Sequence, residues 1–207
     1  VDECVNIASL FLPRGQHLMS TKGKVPSTNY DYRTALEPVD TLMPLVLMVD
    51  GGSASCSEIL AGGMQDLDRA VLIGERTYGK GLVQSVRDMS FGGQLKMTTC
   101  KYYIPSGRCI QAYDYRHLNA DGSAKTLPDS LTHVFHTAGG REVRDGGGVM
   151  PDVKVQPDSL PSMLFDLTSS DEFFTYTTRY AREHAGSIEE KHSELIQNAI
   201  EFYELKA

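Results

Sequence analysis

LVLMVDGGSASCSEIL, residues 45–60, is the stretch from which the fold of this 207-residue chain can be worked out. Its first five residues are all apolar, which predicts a strand buried on both faces. Residues 54–67 then predict a helix, and the small residues between the two elements predict a turn. This turn places Ser55 at the end of a strand and at the N-terminus of a helix, where free backbone N–H groups can face a developing oxyanion. Ser55 is therefore a candidate nucleophile.

A second glycine-rich turn follows the next apolar run. Residues 70–73 predict another buried strand, and Gly79-Lys80-Gly81 comes shortly after it. Two neighbouring strand ends can bring Lys80 close to Ser55, so lysine rather than histidine is the candidate general base. Both residues also have an ordinary structural interpretation. Ser55-x-x-Glu58 is a capping box, and most lysines are solvated surface groups.

The segment from Gly74 to Gly81 also nearly matches the phosphate-binding pattern G-x-x-x-x-G-K-[ST]. Gly81 stands where that pattern needs a serine or threonine to bind the metal. Residues 82–86 favour a strand, so no helix N-terminus would face the phosphates. The apolar run that ends at Asp50 imitates the partner motif for magnesium, but it precedes the glycine-rich segment instead of following it. A nucleotide-binding site is therefore the least favoured alternative.

The rest of the chain predicts further elements by periodicity and turn residues. The predicted helix at the start covers residues 1–12, a short strand covers 17–20, and 22–33 and 113–130 are predicted as polar loops. Further predicted strands are 82–86, 95–104, 131–137, 141–144 and 153–155. The composition changes near Pro157. Beyond it, capping boxes at Ser169 and Ser187 predict two helices at the end of the chain. We expect two parts, residues 1–157 and 158–207.

Composition excludes several classes of protein. The net charge of −7 argues against a nucleic-acid-binding surface. No apolar run approaches the roughly 20 residues that span a bilayer, and no signal-peptide pattern opens the chain. The four cysteines form no C-x-x-C pair, which favours free thiols, although a Cys100–Cys109 bridge remains open. His133 and His136 are interpreted as surface or packing residues, and no metal or cofactor is expected.

Residues 51–84 resemble the signature of the carboxyl-terminal processing proteases, also called tail-specific proteases. The matching segments lie in the family's order and are Ser53–Glu58, Ala61–Asp66, Arg69–Glu75 and Thr77–Gln84. Two later segments also fit, Tyr103–Arg108 and Gly148–Val153. The resemblance covers about residues 1–157. Cys56 stands where the family more often has alanine.

The resemblance implies a role for five residues. Ser55 would be the nucleophile, Lys80 the general base and Gln84 the group that orients the lysine. The N–H of Cys56 would be one oxyanion donor, and Asp66 would be a supporting acid. A lysine accepts the serine proton only if burial lowers its pKa by several units, and a neutral glutamine can bind the amine without favouring its charged form.

The resemblance also implies the fold and the partners. We expect an α/β protein with a crotonase- or ClpP-like spiral core and a C-terminal helical extension. Its substrates would be polypeptides recognised through their C-terminal tails, in the periplasm or cell envelope. The family's second oxyanion donor and its PDZ domain would lie upstream of Val1, so we expect a truncated piece with weak or no activity. The remaining alternative is a non-catalytic protein-binding module on the same fold.

Overall fold

The computed structural model describes residues 1–155 and 162–184. The chain divides into two compact units, Val1–Gln156 and Pro157–Ala207, and each is described by itself. Within the described residues, no helix is long and apolar enough to cross a membrane.

The first unit contains a three-stranded sheet in the order β11-β4-β3, with β3 at Leu45–Val49, β4 at Ala70–Gly74 and β11 at Val153–Lys154. β3 and β4 run parallel in register, Leu45 opposite Ala70, and helix α2 (Cys56–Asp66) connects them. The predicted order of strand, helix and strand is therefore confirmed.

The predicted burial of both faces of these strands is wrong. Val46, Met48 and Val71 are 56%, 89% and 44% exposed, whereas Val49 and Leu72 are buried. β3 is the edge strand of the sheet, and side chains alternate between the two faces of a strand. One face therefore packs on the core, while the other is open among the described residues.

A four-stranded antiparallel sheet in the order β2-β1-β6-β5 forms the second layer. Its strands are β1 (His17–Gly23), β2 (Tyr30–Arg33), β5 (Leu82–Asp88) and β6 (Gln94–Tyr103). The two later strands were expected, as was the turn between them. The prediction of a loop over residues 22–33 is wrong in part, because this segment contains the end of β1 and all of β2. β2 pairs with β1 although most residues of β2 are exposed.

Two short hairpins complete the first unit. β9 (Val134–His136) pairs with β10 (Glu142–Arg144), which confirms the predicted hairpin. β7 (Tyr113–Leu118) pairs with β8 (Ala124–Thr126), within the segment that was predicted as a loop. The prediction failed there because most of these strand residues are exposed, so the sequence shows no clear apolar alternation.

Helix α1 (Asp2–Ser9) begins the chain and packs on α2, with Cys4, Val5 and Ala8 buried. α2 in turn packs against β1 and β4. Two glycines in α2 allow this close approach. A Cβ on Gly62 would lie 2.7 Å from Ile104 Cδ1, and one on Gly63 would lie 2.6 Å from Leu18 Cδ1. Close packing therefore outweighs the roughly 1 kcal/mol that glycine costs in a helix.

The second unit contains α3 (Ser162–Ser169) and α4 (Asp171–Glu183). α4 corresponds to the helix predicted from its capping box, but Ser170 rather than Ser169 is its N-cap residue. α3 was not predicted. The helix predicted from Ser187 lies outside the described residues.

Candidate active site

The turn between β3 and α2 holds Ser55 in an unusual backbone conformation. Its φ is 58° and its ψ is −116°, a region that residues other than glycine rarely adopt. Such a conformation costs about 1–3 kcal/mol and must be imposed by its surroundings. Part of the constraint comes from Asp50, whose Oδ1 accepts the N–H of Gly52 at 3.0 Å and that of Ser53 at 2.8 Å.

Ser55 is the N-cap residue of α2 and forms the capping box with Glu58, as the sequence predicts. In one half of this capping box, the Ser55 N–H donates a hydrogen bond of 2.9 Å to the Glu58 carboxylate. The Ser55 hydroxyl makes no side-chain cap hydrogen bond of normal geometry. The next residue, Cys56, begins the helix, and its N–H has no acceptor among residues 1–155 and 162–184. The turn therefore presents a hydroxyl and a free donor side by side.

The turn that carries Lys80 is packed closely against Gln111 and Ala112, which lie just before β7. Gly79 has a φ of 87°, and a Cβ there would overlap Ala112. A Cβ on Gly81 would lie 2.7 Å from the Gln111 nitrogen. Both positions therefore require glycine. The sequence after this turn is β5, not a helix, so the structure lacks the helix N-terminus that a phosphate-binding loop needs.

Glu58 connects the two turns. It is fully buried at 0% exposure. Its Oε2 accepts the N–H groups of Ser55 and Lys80, both at 2.9 Å. Its Oε1 accepts the Thr77 hydroxyl at 2.5 Å and the Gly79 N–H at 2.7 Å. One carboxylate therefore fixes backbone atoms on both sides of the candidate dyad.

Tyr102, on β6, connects the same turns from the other side. Its buried hydroxyl donates to the carbonyl of Lys80 and lies 3.4 Å from the carbonyl of Ser55. Burial, followed by the nearby Glu58 carboxylate, raises the pKa of Tyr102, which therefore remains a neutral donor. Neither Glu58 nor Tyr102 was predicted as a site residue from the sequence. The N3 glutamate of the capping box was the available signal for Glu58.

The structure differs from the expected environment of the lysine. Lys80 is exposed rather than buried. Gln84, on β5, is also exposed, and no hydrogen bond joins it to Lys80 within the described part of the chain. No carboxylate forms an ion pair with Lys80 there either. The structure thus assembles the backbone around Ser55 and Lys80 but does not desolvate the amine.

Asp66 lies too far from Ser55 to support it directly. The two residues are at opposite ends of α2, about 16 Å apart along the helix axis at 1.5 Å per residue. The Asp66 carboxylate instead faces the Arg108 guanidinium at 2.8 Å, with both side chains buried, and accepts the Ser106 N–H at 3.0 Å. The role of Asp66 as a supporting acid stays a prediction, and its partners in this structure are Arg108 and the Ser106 N–H.

All four cysteines are free thiols, which answers the open question about a Cys100–Cys109 bridge. The Cys4 thiol donates to the Cys56 carbonyl at 3.3 Å. Burial raises the pKa of Cys4 to about 12. His133 is an exposed side chain beside Asp145. Within the described residues, no group of three histidine, cysteine or carboxylate side chains could hold a metal ion.

Comparison with known proteins supports the resemblance seen in the sequence. The model of peptidase family S41 matches residues 1–119. A chloroplastic C-terminal processing peptidase from Tetradesmus obliquus is 37% identical over 160 residues, which is 77% of this chain and 27% of that protein. A carboxy-terminal-processing protease from Bartonella bacilliformis is 37% identical over 111 residues, 54% of this chain and 25% of that protein.

A solved structure, the photosystem II D1 C-terminal processing protease, superposes with a TM-score of 0.54 and 30% identity. The superposition covers 79% of this chain and 33% of that structure. This chain thus spans about a quarter of the length of the curated relatives named above. The family model covers more than half of the chain, and the relatives and the solved structure agree with it. The chain therefore belongs to peptidase family S41, the family of the carboxyl-terminal processing proteases.

Proposed function

We propose that this chain carries the active centre of a serine endopeptidase with a Ser55/Lys80 dyad. The observation that supports it most is the shared anchoring of the two turns. The same oxygen of Glu58 accepts the N–H groups of Ser55 and Lys80, and the Tyr102 hydroxyl faces the carbonyls of both. Two segments 25 residues apart in the chain are thereby held against each other.

In the proposed reaction, the Ser55 oxygen attacks the carbonyl carbon of the scissile peptide while the Lys80 amine takes the hydroxyl proton. The carbonyl electron pair moves to oxygen, and the free N–H of Cys56 donates to this oxyanion. The lysine then returns the proton to the leaving amine as the C–N bond breaks. The same lysine then deprotonates a water molecule that attacks the ester carbon, and it passes this proton to the Ser55 oxygen as the ester C–O bond breaks.

This mechanism requires a neutral amine, and an exposed lysine is ordinarily charged. A polypeptide bound across the two turns would cover Lys80 and supply the desolvation that this role needs. Gln84 is kept in the proposal as a neutral side chain that can turn toward the amine once the site is covered. Asp66 is left out, because its carboxylate faces Arg108 at the far end of α2.

The wider function is also a proposal. The related proteins are named for processing at C-termini, so we propose that unfolded C-terminal tails of proteins are the substrates. Bacterial and chloroplastic relatives suggest an envelope or lumenal compartment. We also propose that residues 1–157 form part of a crotonase- or ClpP-like spiral core, with residues 158–207 as a helical extension.

Cleavage of an unfolded protein tail tests the dyad. We expect Ser55→Ala and Lys80→Ala to abolish cleavage, and Lys80→Arg to fail as well because a guanidinium does not give up its proton. Ser57→Ala and Lys101→Arg change exposed residues of the same types and should cleave normally. Retained cleavage in Lys80→Arg would remove lysine from the role of base.

The exposure of Lys80 is the observation that favours the alternative, a non-catalytic module that only binds protein tails. Under this alternative, the unsubstituted protein and the Ser55→Ala variant would bind the tail with equal affinity, and neither would cleave it. A binding titration run beside the cleavage assay separates the two functions.

A further inference from the structure

A cleft of about 470 Å³ lies directly beside the two turns of the candidate dyad. Gly51, four residues before Ser55, lines it on one side, and Tyr78, two residues before Lys80, lines it on another. The turns meet here through a 3.0 Å hydrogen bond from the Tyr78 N–H to the Ser53 carbonyl. The cleft is therefore continuous with the backbone that positions the candidate nucleophile and base.

The opposite wall comes from the segment around β7. The Ala112 N–H donates to the Gly79 carbonyl at 2.9 Å, and the Leu127 N–H donates to the Ala112 carbonyl at 2.8 Å. Ala112, Tyr113 and Leu127 all line the cleft. This wall is therefore hydrogen-bonded to the lysine turn.

Two tyrosine rings and the aliphatic side chains of Ala112 and Leu127 form the apolar part of the walls. The rings of Tyr78 and Tyr113 lie 5.1 Å apart at an angle of 38°. Burial and the neighbouring Tyr78 phenol raise the pKa of Tyr113, so the Tyr113 phenol stays neutral. The two charged residues of the lining, Arg76 and Asp129, satisfy each other through hydrogen bonds of 2.9 and 3.2 Å. The cleft consequently offers apolar contact beside the polar side chains of Thr77 and Thr126, and its two charged residues pair with each other.

We propose that this cleft is a specificity subsite, which takes one uncharged apolar or aromatic side chain of the polypeptide bound at Ser55. The inference rests on the proposed function for its role in cleavage. Its volume lies within the range of about 300–1,000 Å³ that is common for ligand pockets. Flat aromatic walls favour a side chain that can stack on a ring or pack against it.

A binding experiment tests the subsite without any need for turnover. The Ser55→Ala protein is titrated with N-acetyl-phenylalaninamide, N-acetyl-leucinamide, N-acetyl-lysinamide and N-acetyl-aspartamide, with NMR signals of the chain as the readout. We expect the two apolar amides to shift the signals of Tyr78 and Ala112, and to bind at least about tenfold more tightly than the two charged ones. Equal binding of all four amides, or shifts confined to other parts of the chain, would overturn the proposal.

A charge placed in the wall sharpens the test. Leu127→Asp should reverse the preference toward the lysine amide, whereas Leu131→Asp, on a nearby exposed residue outside the cleft, should leave it unchanged. Tyr113→Ala removes an aromatic ring from the wall without adding a charge, and it should weaken binding of the phenylalanine amide. This second variant tests the subsite even if Leu127→Asp does not fold. An unchanged preference in a folded Leu127→Asp or Tyr113→Ala protein would contradict the subsite.

Cleavage of a peptide mixture, read by mass spectrometry, then separates the two proposals. Amide binding in the cleft without cleavage by the unsubstituted protein would refute the proposed function and leave the cleft standing as a binding site. Cleavage whose sequence preference is the same with and without Leu127→Asp would support the protease and refute the subsite. A preference for apolar residues that changes with Leu127→Asp supports both.

Discussion

Helix α2 carries a buried carboxylate near each end, and the two are satisfied in different ways. Glu58, in the first turn, accepts four hydrogen bonds, all from backbone N–H groups or a hydroxyl. Asp66, the last residue, faces the guanidinium of Arg108 and accepts one backbone N–H, that of Ser106. The first environment contains only neutral donors, whereas the second contains a full opposite charge.

The two carboxylates therefore have different structural roles, which follow from the kind of donor that each one faces. Neutral donors are directional, so Glu58 fixes the positions of particular backbone atoms in the turns of Ser55 and Lys80. An ion pair mainly cancels charge, so Asp66 allows Arg108 to remain buried beside the core. One end of α2 therefore organises the candidate active site, and the other end holds the fold together behind it.

The largest effect is expected for Glu58→Gln. The amide keeps one acceptor oxygen but turns an NH₂ group toward two of the four donors, which should cost about 3 kcal/mol of unfolding free energy. Displacement of the two turns should lower turnover by about 100-fold in the protein that remains folded. Urea unfolding and cleavage of an unfolded tail measure the two effects. Glu75→Gln, an exposed glutamate on the same turn segment, is the matched control, and equal losses in both variants would contradict the role of Glu58.

At the other end of the helix, Asp66→Asn should lower the unfolding free energy by about 3 kcal/mol, because it leaves the buried Arg108 without its counter-charge. The double variant Asp66→Asn with Arg108→Met removes the unpaired cation and should recover part of that loss. Urea unfolding of the single and double variants completes the cycle. Losses that simply add would show that the two side chains are not coupled.

A smaller effect is expected for Tyr102→Phe, which keeps the ring in the core but removes the hydroxyl that faces the carbonyls of Ser55 and Lys80. The loss of one buried hydrogen bond should cost about 1–1.5 kcal/mol of stability. We expect turnover to fall by about tenfold, since the Glu58 contacts to both turns remain. Tyr103→Phe, on the next residue of β6, is the control, and a tenfold loss in that variant too would assign the effect to the strand as a whole.

The smallest effect concerns Asp68, just beyond the Asp66 end of α2. Burial alone would raise its pKa, but hydrogen bonds from Arg141 and from the Gly139 N–H outweigh burial and hold the pKa below its ordinary value of 3.8. A depressed pKa in the folded state means that the stabilisation is complete above pH 3.8 and is lost as the pH falls through the lower folded value. Unfolding measured from about pH 6 to about pH 2 should show a shallower acid loss in Asp68→Asn than in the exposed control Asp88→Asn. Equal slopes would contradict this contribution.

The sequence predicted the two strands and the two turns of the site, because the residues that determine each of these elements are neighbours in the chain. The apolar run of β3 lies a few residues before the glycines near Ser55. The apolar run of β4 likewise lies a few residues before the glycines near Lys80. The hydrogen-bond partners of Glu58 beyond α2 are 19, 21 and 22 residues away in the chain. The sequence therefore predicted only the contact between Glu58 and Ser55 in the capping box. The exposure of Lys80 was not predictable either, because burial depends on which other segments cover a turn.

The exposed face of β3 was missed for a related reason. Val46 and Met48 are apolar residues in a five-residue apolar run, which ordinarily indicates a strand covered on both sides. A run of residues reports what each side chain prefers, but it does not report whether a second layer is present. The β7–β8 hairpin shows the opposite case, in which mostly exposed residues form paired strands.

The backbone of Ser55 has a consequence for how this sequence can change over time. A glycine at that position would adopt φ 58° and ψ −116° with little strain, whereas serine carries the cost of the conformation in every folded molecule. Selection for thermal stability alone would therefore tend to replace the residue, and threonine would be a poor substitute because β-branched side chains tolerate positive φ least. If the hydroxyl is the nucleophile, catalysis is the gain that offsets the cost of a serine at this strained position.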